Sequence, residues 1–360
     1  MQRRTFVLSS LGLLAASTVH RNIAFAQAAA RAPQGKWVRL APVPRATGEI
    51  LGVAVNGKVY ASQGLLPGFK PAGLLYEYDP ARDSWSEKKA MPHPVHHAAV
   101  TAHNGKMYLF GGFDLPPSGP PGWNPVADAW EYDPANDSWK AVAPMPTARG
   151  GCGAAVASGR IYVIGGAGPV RGASSPVIRP RQPQQSFGTV EEYDPATNGW
   201  RTRAQMPTPC NHFGCEALNG KVYAIGGRLS GAFIIGFPGN TALVQVYDPA
   251  TDSWATKAPM PTPRSGLNTA QLNGIIYAAG GEVQDQQYLA AFKAFEAYDP
   301  ESDTWWQLPS MLLPRHECIM AAVGNQIHVA GGSVQSAIVP PPRGVSFDTD
   351  AHEAFEVASS

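Results

Sequence analysis

The stretch YDPATDSWATKAPMP, Tyr247 to Pro261, recurs with small changes four more times. It reads YDPARDSWSEKKAMP from Tyr78, YDPANDSWKAVAPMP from Tyr132, YDPATNGWRTRAQMP from Tyr193 and YDPESDTWWQLPSML from Tyr298. Nothing in it is reactive. Proline fixes φ and aspartate bonds nearby amides, so Tyr-Asp-Pro-x-x-Asp is a tight polar turn between two strands. The tyrosine and tryptophan rings on those strands offer large apolar areas for packing.

The tryptophans set a ruler: Trp85, Trp139, Trp200, Trp254 and Trp305, with a sixth, Trp37, in the similar context GKWVRLAPVP. Nineteen residues after each stands a turn position, Asn56, Asn104, Ser158, Asn219, Asn273 or Gly324, and glycine follows the first five. Asn-Gly between apolar strands is a strong hairpin signal, because a type I′ turn needs positive φ at both positions. Twenty-six residues after the last five tryptophans comes a diglycine: Gly111-Gly112, Gly165-Gly166, Gly226-Gly227, Gly280-Gly281 and Gly331-Gly332. The first unit has Gln63-Gly64 there. Each unit is therefore strand, turn, strand, variable loop, strand, Asp-Pro turn, strand. Four short strands repeated six times predict an all-β propeller with four antiparallel strands per blade.

Diglycine followed by a spaced tyrosine and tryptophan, at a period near 50 residues, resembles the kelch motif. The resemblance runs from Trp37 to about Val357 and implies a six-bladed kelch β-propeller. The chain starts with an unpaired Trp37 strand and ends on HEAFEV, where Phe355 takes the place of the tyrosine. The N-terminal strand is thus expected to complete the last blade and couple the two chain ends. The repeat tyrosines, Tyr78, Tyr132, Tyr193, Tyr247 and Tyr298, read as scaffold together with the tryptophans and diglycines.

Residues 1–26 stand apart. Arg3 and Arg4 precede an apolar stretch from Val7 to Val19, and Ala24-Phe25-Ala26 offers a small-x-small exit. This resembles a cleavable twin-arginine (Tat) export signal, which implies a translocase partner and a periplasmic or secreted protein without a membrane anchor. Residues 27–36 read as a short linker, 37–357 as the propeller and 358–360 as a tail. A net charge of +1 gives no reason to expect nucleic acid. The four cysteines form no CxxC pattern and read as buried thiols.

Length variation is confined to one connection. From the second glycine to the next tyrosine, or to Phe355, the separations are 14, 20, 27, 20, 17 and 23. This loop between second and third strands emerges on the same face as the blade-to-blade links, and variable insertions on one face mark a binding face. Its loops carry Phe69, Phe113, Trp123, Phe187, Phe233, Ile234, Ile235, Phe237, Tyr288 and Phe347, with Arg171, Arg179, Arg181, Arg228 and Arg343. Arg149, Arg264 and Arg315 lie in the links, ten residues after a tryptophan, with Arg45 nearby. An aromatic, arginine-bearing rim suits a protein, a peptide or an acidic glycan. Kelch domains that capture acidic peptides place arginines at this link position, so the resemblance points to Arg149, Arg264 and Arg315.

Histidines gather just beyond: His96 and His97, His212, and His316, in blades 2, 4 and 6. A three-histidine metal site is conceivable, but alternation along a strand turns positions eleven and twelve to opposite sides, so only one pair faces the channel. No metal or cofactor is expected. His97 and His212 are retained as ligand-binding candidates. The periplasmic six-bladed kelch proteins that interconvert sialic acid anomers also resemble this chain and imply a carbohydrate isomerase. Glu49, Glu282 and Glu317 are its candidate carboxylates, paired with His97 or His212. A galactose-oxidase-like copper site would need partners that the sequence does not assign.

Overall fold

The computed structural model describes residues 32–66, 70–120, 122–180, 182–233, 239–284, 288–336 and 347–358. The expected export signal at 1–26 lies outside them, as do Phe69, Arg181, Ile234, Ile235, Phe237 and Arg343. Among the described residues there is no helix, and so none long and apolar enough to cross a membrane. The fold is all-β: a six-bladed propeller of four-stranded antiparallel blades. Blade 1 runs outward from the channel as Leu51–Val55, Lys58–Ser62, Leu75–Asp79 and Ser84–Glu87, and blades 2 to 5 repeat that order. Blade 6 is built from Ile319–Val323, Gln326–Ala330 and His352–Val357, and the N-terminal strand Gly35–Leu40 supplies its outer edge. Trp37 pairs with Phe355 across that closure, in the register that Tyr78 and Trp85 show in blade 1.

Six hydrophobic clusters of the core each lie between two neighbouring blades. Tyr60 and Leu75 of blade 1, for example, meet Met107, Leu109 and Tyr132 of blade 2. Asn56 and Gly57 have φ of 50° and 78°, Asn104 and Gly105 50° and 74°, which is the type I′ geometry expected of these turns.

The repeated phrase is a staple between blades. Asp252, two residues before Trp254, accepts from Tyr247 Oη at 2.6 Å and from the amide of Ala204, in the preceding link, at 2.8 Å. Trp254 Nε1 donates to the carbonyl of that same Ala204 at 2.9 Å. One link residue is thus held at both its N–H and its C=O. Ala41, Lys89, Ala143 and Ala258 are clamped in the same way, by Asp83 and Trp85, Asp137 and Trp139, Asn198 and Trp200, and Asp303 and Trp305. At the sixth seam the link residue is Pro309, which has no N–H, and Gly35 stands where the aspartate would be. There only Trp37 Nε1 to Pro309 O, 2.7 Å, is made.

The variable loops rise on the face opposite these turns. Several fold back as short hairpins, including Leu65–Leu66 with Lys70–Pro71, Phe113–Asp114 with Asn124–Pro125, and Ala167–Pro169 with Gln184–Ser186.

Candidate functional site

Where each link enters its innermost strand, the residue twelve after the tryptophan turns into the left-handed region. These six are Glu49, His97, Gly151, His212, Gly266 and Glu317, with φ of 52°, 56°, 64°, 53°, 62° and 44°. Backbone bonds pass from blade to blade around the channel: Gly151 N to His97 O, His212 N to Gly151 O, Gly266 N to His212 O and Glu317 N to Gly266 O, each 2.8 or 2.9 Å. The non-glycine members hold a conformation that costs of order 1 kcal/mol or more each, and such outliers concentrate where function fixes a side chain. Because the positions are equivalent, the histidine and glutamate side chains converge on the channel mouth. The residues one earlier bridge to the residue just past the diglycine, as in His96 with Phe113, Asn211 with Arg228 and His316 with Ser333.

The ionisable groups at this mouth are nearly all buried. His97 Nε2 stands 3.0 Å from Glu49 Oε2. His97 Nδ1 contacts His96 Nδ1, and His212 Nδ1 contacts Asn211 Oδ1. Arg228 pairs with Glu282 at 2.6 Å, and Ser336 Oγ donates to the other Glu282 oxygen at 2.5 Å. Burial pushes the His212 pKa well below the ordinary value, helped by the Arg228 charge, and burial beside His97 does the same to His96. Burial opposes ionisation of Glu282, yet His316 and Arg228 outweigh it and bring the group down to about 2. Burial and the nearby Glu49 charge raise Glu317 well above the carboxylate range. For Glu49 burial also acts upward, but His97 prevails and the pKa is lowered. Two carboxyls on one ring are thus driven apart in acidity.

An apolar roof covers the histidines. Trp123 lies 4.8 Å from His96 and 4.9 Å from His97, centroid to centroid, and packs on Phe233 at 4.1 Å with the rings tilted by 32°. Phe113, Ala167, Ile178 and Ala232 complete this small core, which joins the loops of blades 2, 3 and 4. Beneath it a cavity of about 80 Å³ is lined by His97, His212, Glu317, Asn268 and Thr269, among others.

The structure corrects the expected arginine rim. Arg149, Arg264 and Arg315 are fully buried within blades 3, 5 and 6. Arg149 donates to the carbonyls of Thr147, Gly165 and Val163 at 2.8 to 3.0 Å and pairs with Glu191 at 2.5 Å. Arg264 repeats this with Glu296 at 2.5 Å, and Arg315 pairs with Glu353 at 2.9 Å. They clasp a blade from within, each guanidinium held by a glutamate and by backbone carbonyls of its own blade. Arg228 is likewise buried and committed to Glu282 and to Ala232 O. Arg45 and Arg171 are exposed, whereas Trp123 is half-buried in the roof. His97 and His212 meet at the channel, as strand alternation requires of one pair, with ring centroids 4.7 Å apart. Glu49 and Glu317 join them, while His96 packs on Phe113 and His316 Nε2 lies 3.3 Å from the carbonyl of Gln335, both in the variable loops. The clasps were legible. Each arginine has a glutamate two residues before the repeat tyrosine or Phe355 of its blade, where the other blades have Tyr76, Trp130 and Gln245.

Comparison with known proteins agrees with this geometry. The kelch motif matches residues 94–146, 209–261 and 263–312, and a second form of the kelch motif matches 148–207, together more than half of the chain. The chain is 27% identical over 323 residues to Kelch-like protein terF of Aspergillus terreus, covering 86% of this chain and 67% of that one. It is 30% identical over 261 residues to Kelch-like protein 25 of Xenopus tropicalis, covering 72% and 40%. Alpha-scruin of Limulus polyphemus is 27% identical over 263 residues, covering 72% and 27%. The chain therefore spans less than half of the latter two relatives. With six stapled blades, ring closure by the first strand and these matches, the chain belongs to the kelch-repeat family of β-propellers.

Proposed function

We propose that this chain is an exported, non-catalytic binding module that docks a protein partner on its variable-loop face. The observation that carries this reading is the distribution of exposed large apolar side chains. Leu115, Leu229, Tyr288 and Leu289 belong to the loops between second and third strands, and Leu312 to a blade link. All five lie toward one face, whereas the opposite face carries the Asn-Gly and Asp-Pro turns. Apolar side chains grouped among polar ones mark interaction surfaces. Similarity to Kelch-like proteins and alpha-scruin supports a protein partner over a glycan. Burial of Arg149, Arg228, Arg264 and Arg315 removes most of the cations that favoured an acidic ligand. The Arg3-Arg4 segment supports export through the twin-arginine translocase to the periplasm or beyond. The cavity of about 80 Å³ compares with roughly 300 Å³ or more for pockets enclosing a small organic ligand, which favours docking over sugar isomerisation there.

Site-specific photocrosslinking in the exporting cell tests this. A crosslinker at Leu289 is expected to give one discrete protein adduct that Leu229→Asp abolishes, and a crosslinker at Asn104 on the other face none. Adducts only from Asn104, or none from Leu289, overturn it.

A further inference from the structure

We propose that His97, His212 and Glu317 form a binding site for one divalent cation of the zinc class at the mouth of the central channel, with Glu49 beside it. The three residues occupy the same position of blades 2, 4 and 6, so their donor atoms approach the axis from three directions. Blades 3 and 5 place Gly151 and Gly266 between them. A Cβ at Gly151 would stand 2.7 Å from Nδ1 and Cε1 of His212, so this glycine makes room for the imidazole.

One ligand atom from each of the three lies within 4.8 Å of the others. A tetrahedral ion with bonds of about 2.1 Å needs donors about 3.4 Å apart, within reach of small side-chain rotations. His97 Nε2 and Glu49 Oε2 are already 3.0 Å apart, and that buried oxygen has no aligned hydrogen-bond donor. This ion pair sets the Glu49 carboxylate beside any ion that His97 holds. The Asn211 Oδ1 contact fixes the proton of His212 on Nδ1 and leaves Nε2 free to ligate, the outer-partner arrangement of metal-binding histidines.

The surroundings suit an ion. The cavity of about 80 Å³ admits a cation with a few waters, since one water needs roughly 10–15 Å³ by the same measure. Asn268 Nδ2 and Thr269 Oγ1 line it as buried polar atoms without partners, ready for such waters. Trp123 and Phe233 shield the His97 side. Imidazole with carboxylate selects zinc and its neighbours over magnesium or calcium, which prefer all-oxygen shells. His97, His212 and Glu317 leave the fourth position of a tetrahedral ion for Glu49, for water or for a donor group of a partner.

The test uses the whole chain, stripped with chelator, and titrates Zn²⁺ alone against a chromogenic competitor at pH 7.5. One equivalent is expected to bind and to raise Tm. His212→Gln and Glu317→Gln, which keep most of the volume, are each expected to weaken binding by about 10- to 100-fold, and His97→Gln/His212→Gln to abolish it. Circular dichroism at 25 °C identifies the folded variants, and Glu317→Gln is the most conservative of them. Absence of stoichiometric Zn²⁺ binding by the native protein overturns the proposal, as does undiminished binding by the folded double variant. Equal affinity for Mg²⁺ overturns the class of ion.

Discussion

Replacing Arg149 by cysteine tests the buried clasp in a way that the chain itself controls. The guanidinium is wholly enclosed, and its removal strands the Glu191 carboxylate, 2% exposed, together with the carbonyls of Gly165 and Val163. Breaking a buried pair from one side costs about 3–5 kcal/mol, because the remaining charge is left without compensation. Glu191 keeps one neutral donor, Thr147 Oγ1 at 2.8 Å, so the lower half of that range is expected. Blade 4 shows how the same space is filled without charge. Cys210 stands at the arginine position and Gln245 at the glutamate position, where Gln245 exchanges two hydrogen bonds with the backbone of Thr208, at 2.9 and 3.0 Å. Arg149→Cys/Glu191→Gln transplants that solution and should recover more than half of the loss. Urea unfolding of both single variants and the double gives a thermodynamic cycle, with a coupling of about 2 kcal/mol expected. Partner binding by the folded double variant should be unchanged. If Arg149→Cys keeps native stability while binding disappears, the arginine is a recognition residue and the clasp is wrong.

Other parts of the framework make equally definite forecasts. Asp252→Ala removes the acceptor shared by Tyr247 Oη and the Ala204 amide and should cost about 1–3 kcal/mol. Asp252→Asn should stay within about 0.5 kcal/mol, since blade 3 already uses Asn198 there, and chemical denaturation reads both. His328 and His352 are buried in contact at 3.0 Å, and burial brings their pKa values down to about 4 and about 3. Their neutral forms are the native ones, so the stabilisation is complete above pH 6.5 and lost as pH falls toward 4 and 3. The unfolding free energy should fall by up to about 1.4 kcal/mol per pH unit for each in that window. His328→Gln/His352→Gln should flatten the slope relative to the native protein, and an unchanged slope between pH 6.5 and 4.5 refutes the assignment.

The fold was legible because the repeat is written in residues with only one use. Asn-Gly fixes the hairpins, Tyr and Trp pair in fixed register, and an unpaired Trp37 with a late Phe355 announces closure. What the link arginines do was harder to see. A charged residue in a proline-flanked connection reads as solvated, and only comparison between blades shows that Arg149, Arg264 and Arg315 come with Glu191, Glu296 and Glu353. Alternation required that only one histidine pair face the channel without saying which, and in the structure His97 and His212 are the two that meet there. Their left-handed backbone was concealed, because four of the six ring positions are not glycine. Gly151 and Gly266 at the same place in blades 3 and 5 were the available sign of it. How the roof of Trp123, Ile178 and Phe233 assembles lies in loops of unequal length, which follow no common rule of spacing.

The seam beside Pro309 gives the ring a distinguishable place. Five junctions are clamped at both N–H and C=O of the link residue, and the sixth by Trp37 alone. A Cβ at Gly35 would come within 2.3 Å of Glu356 O, so an acidic residue cannot simply be added there to supply the missing half. The lightly held junction is the one beside the strand bearing the chain's beginning, and that strand is fastened to the chain's end. An otherwise near-uniform circle thus has one distinguishable junction, singly clamped at its rim and packed inside by Trp37 against Phe295 at 4.8 Å.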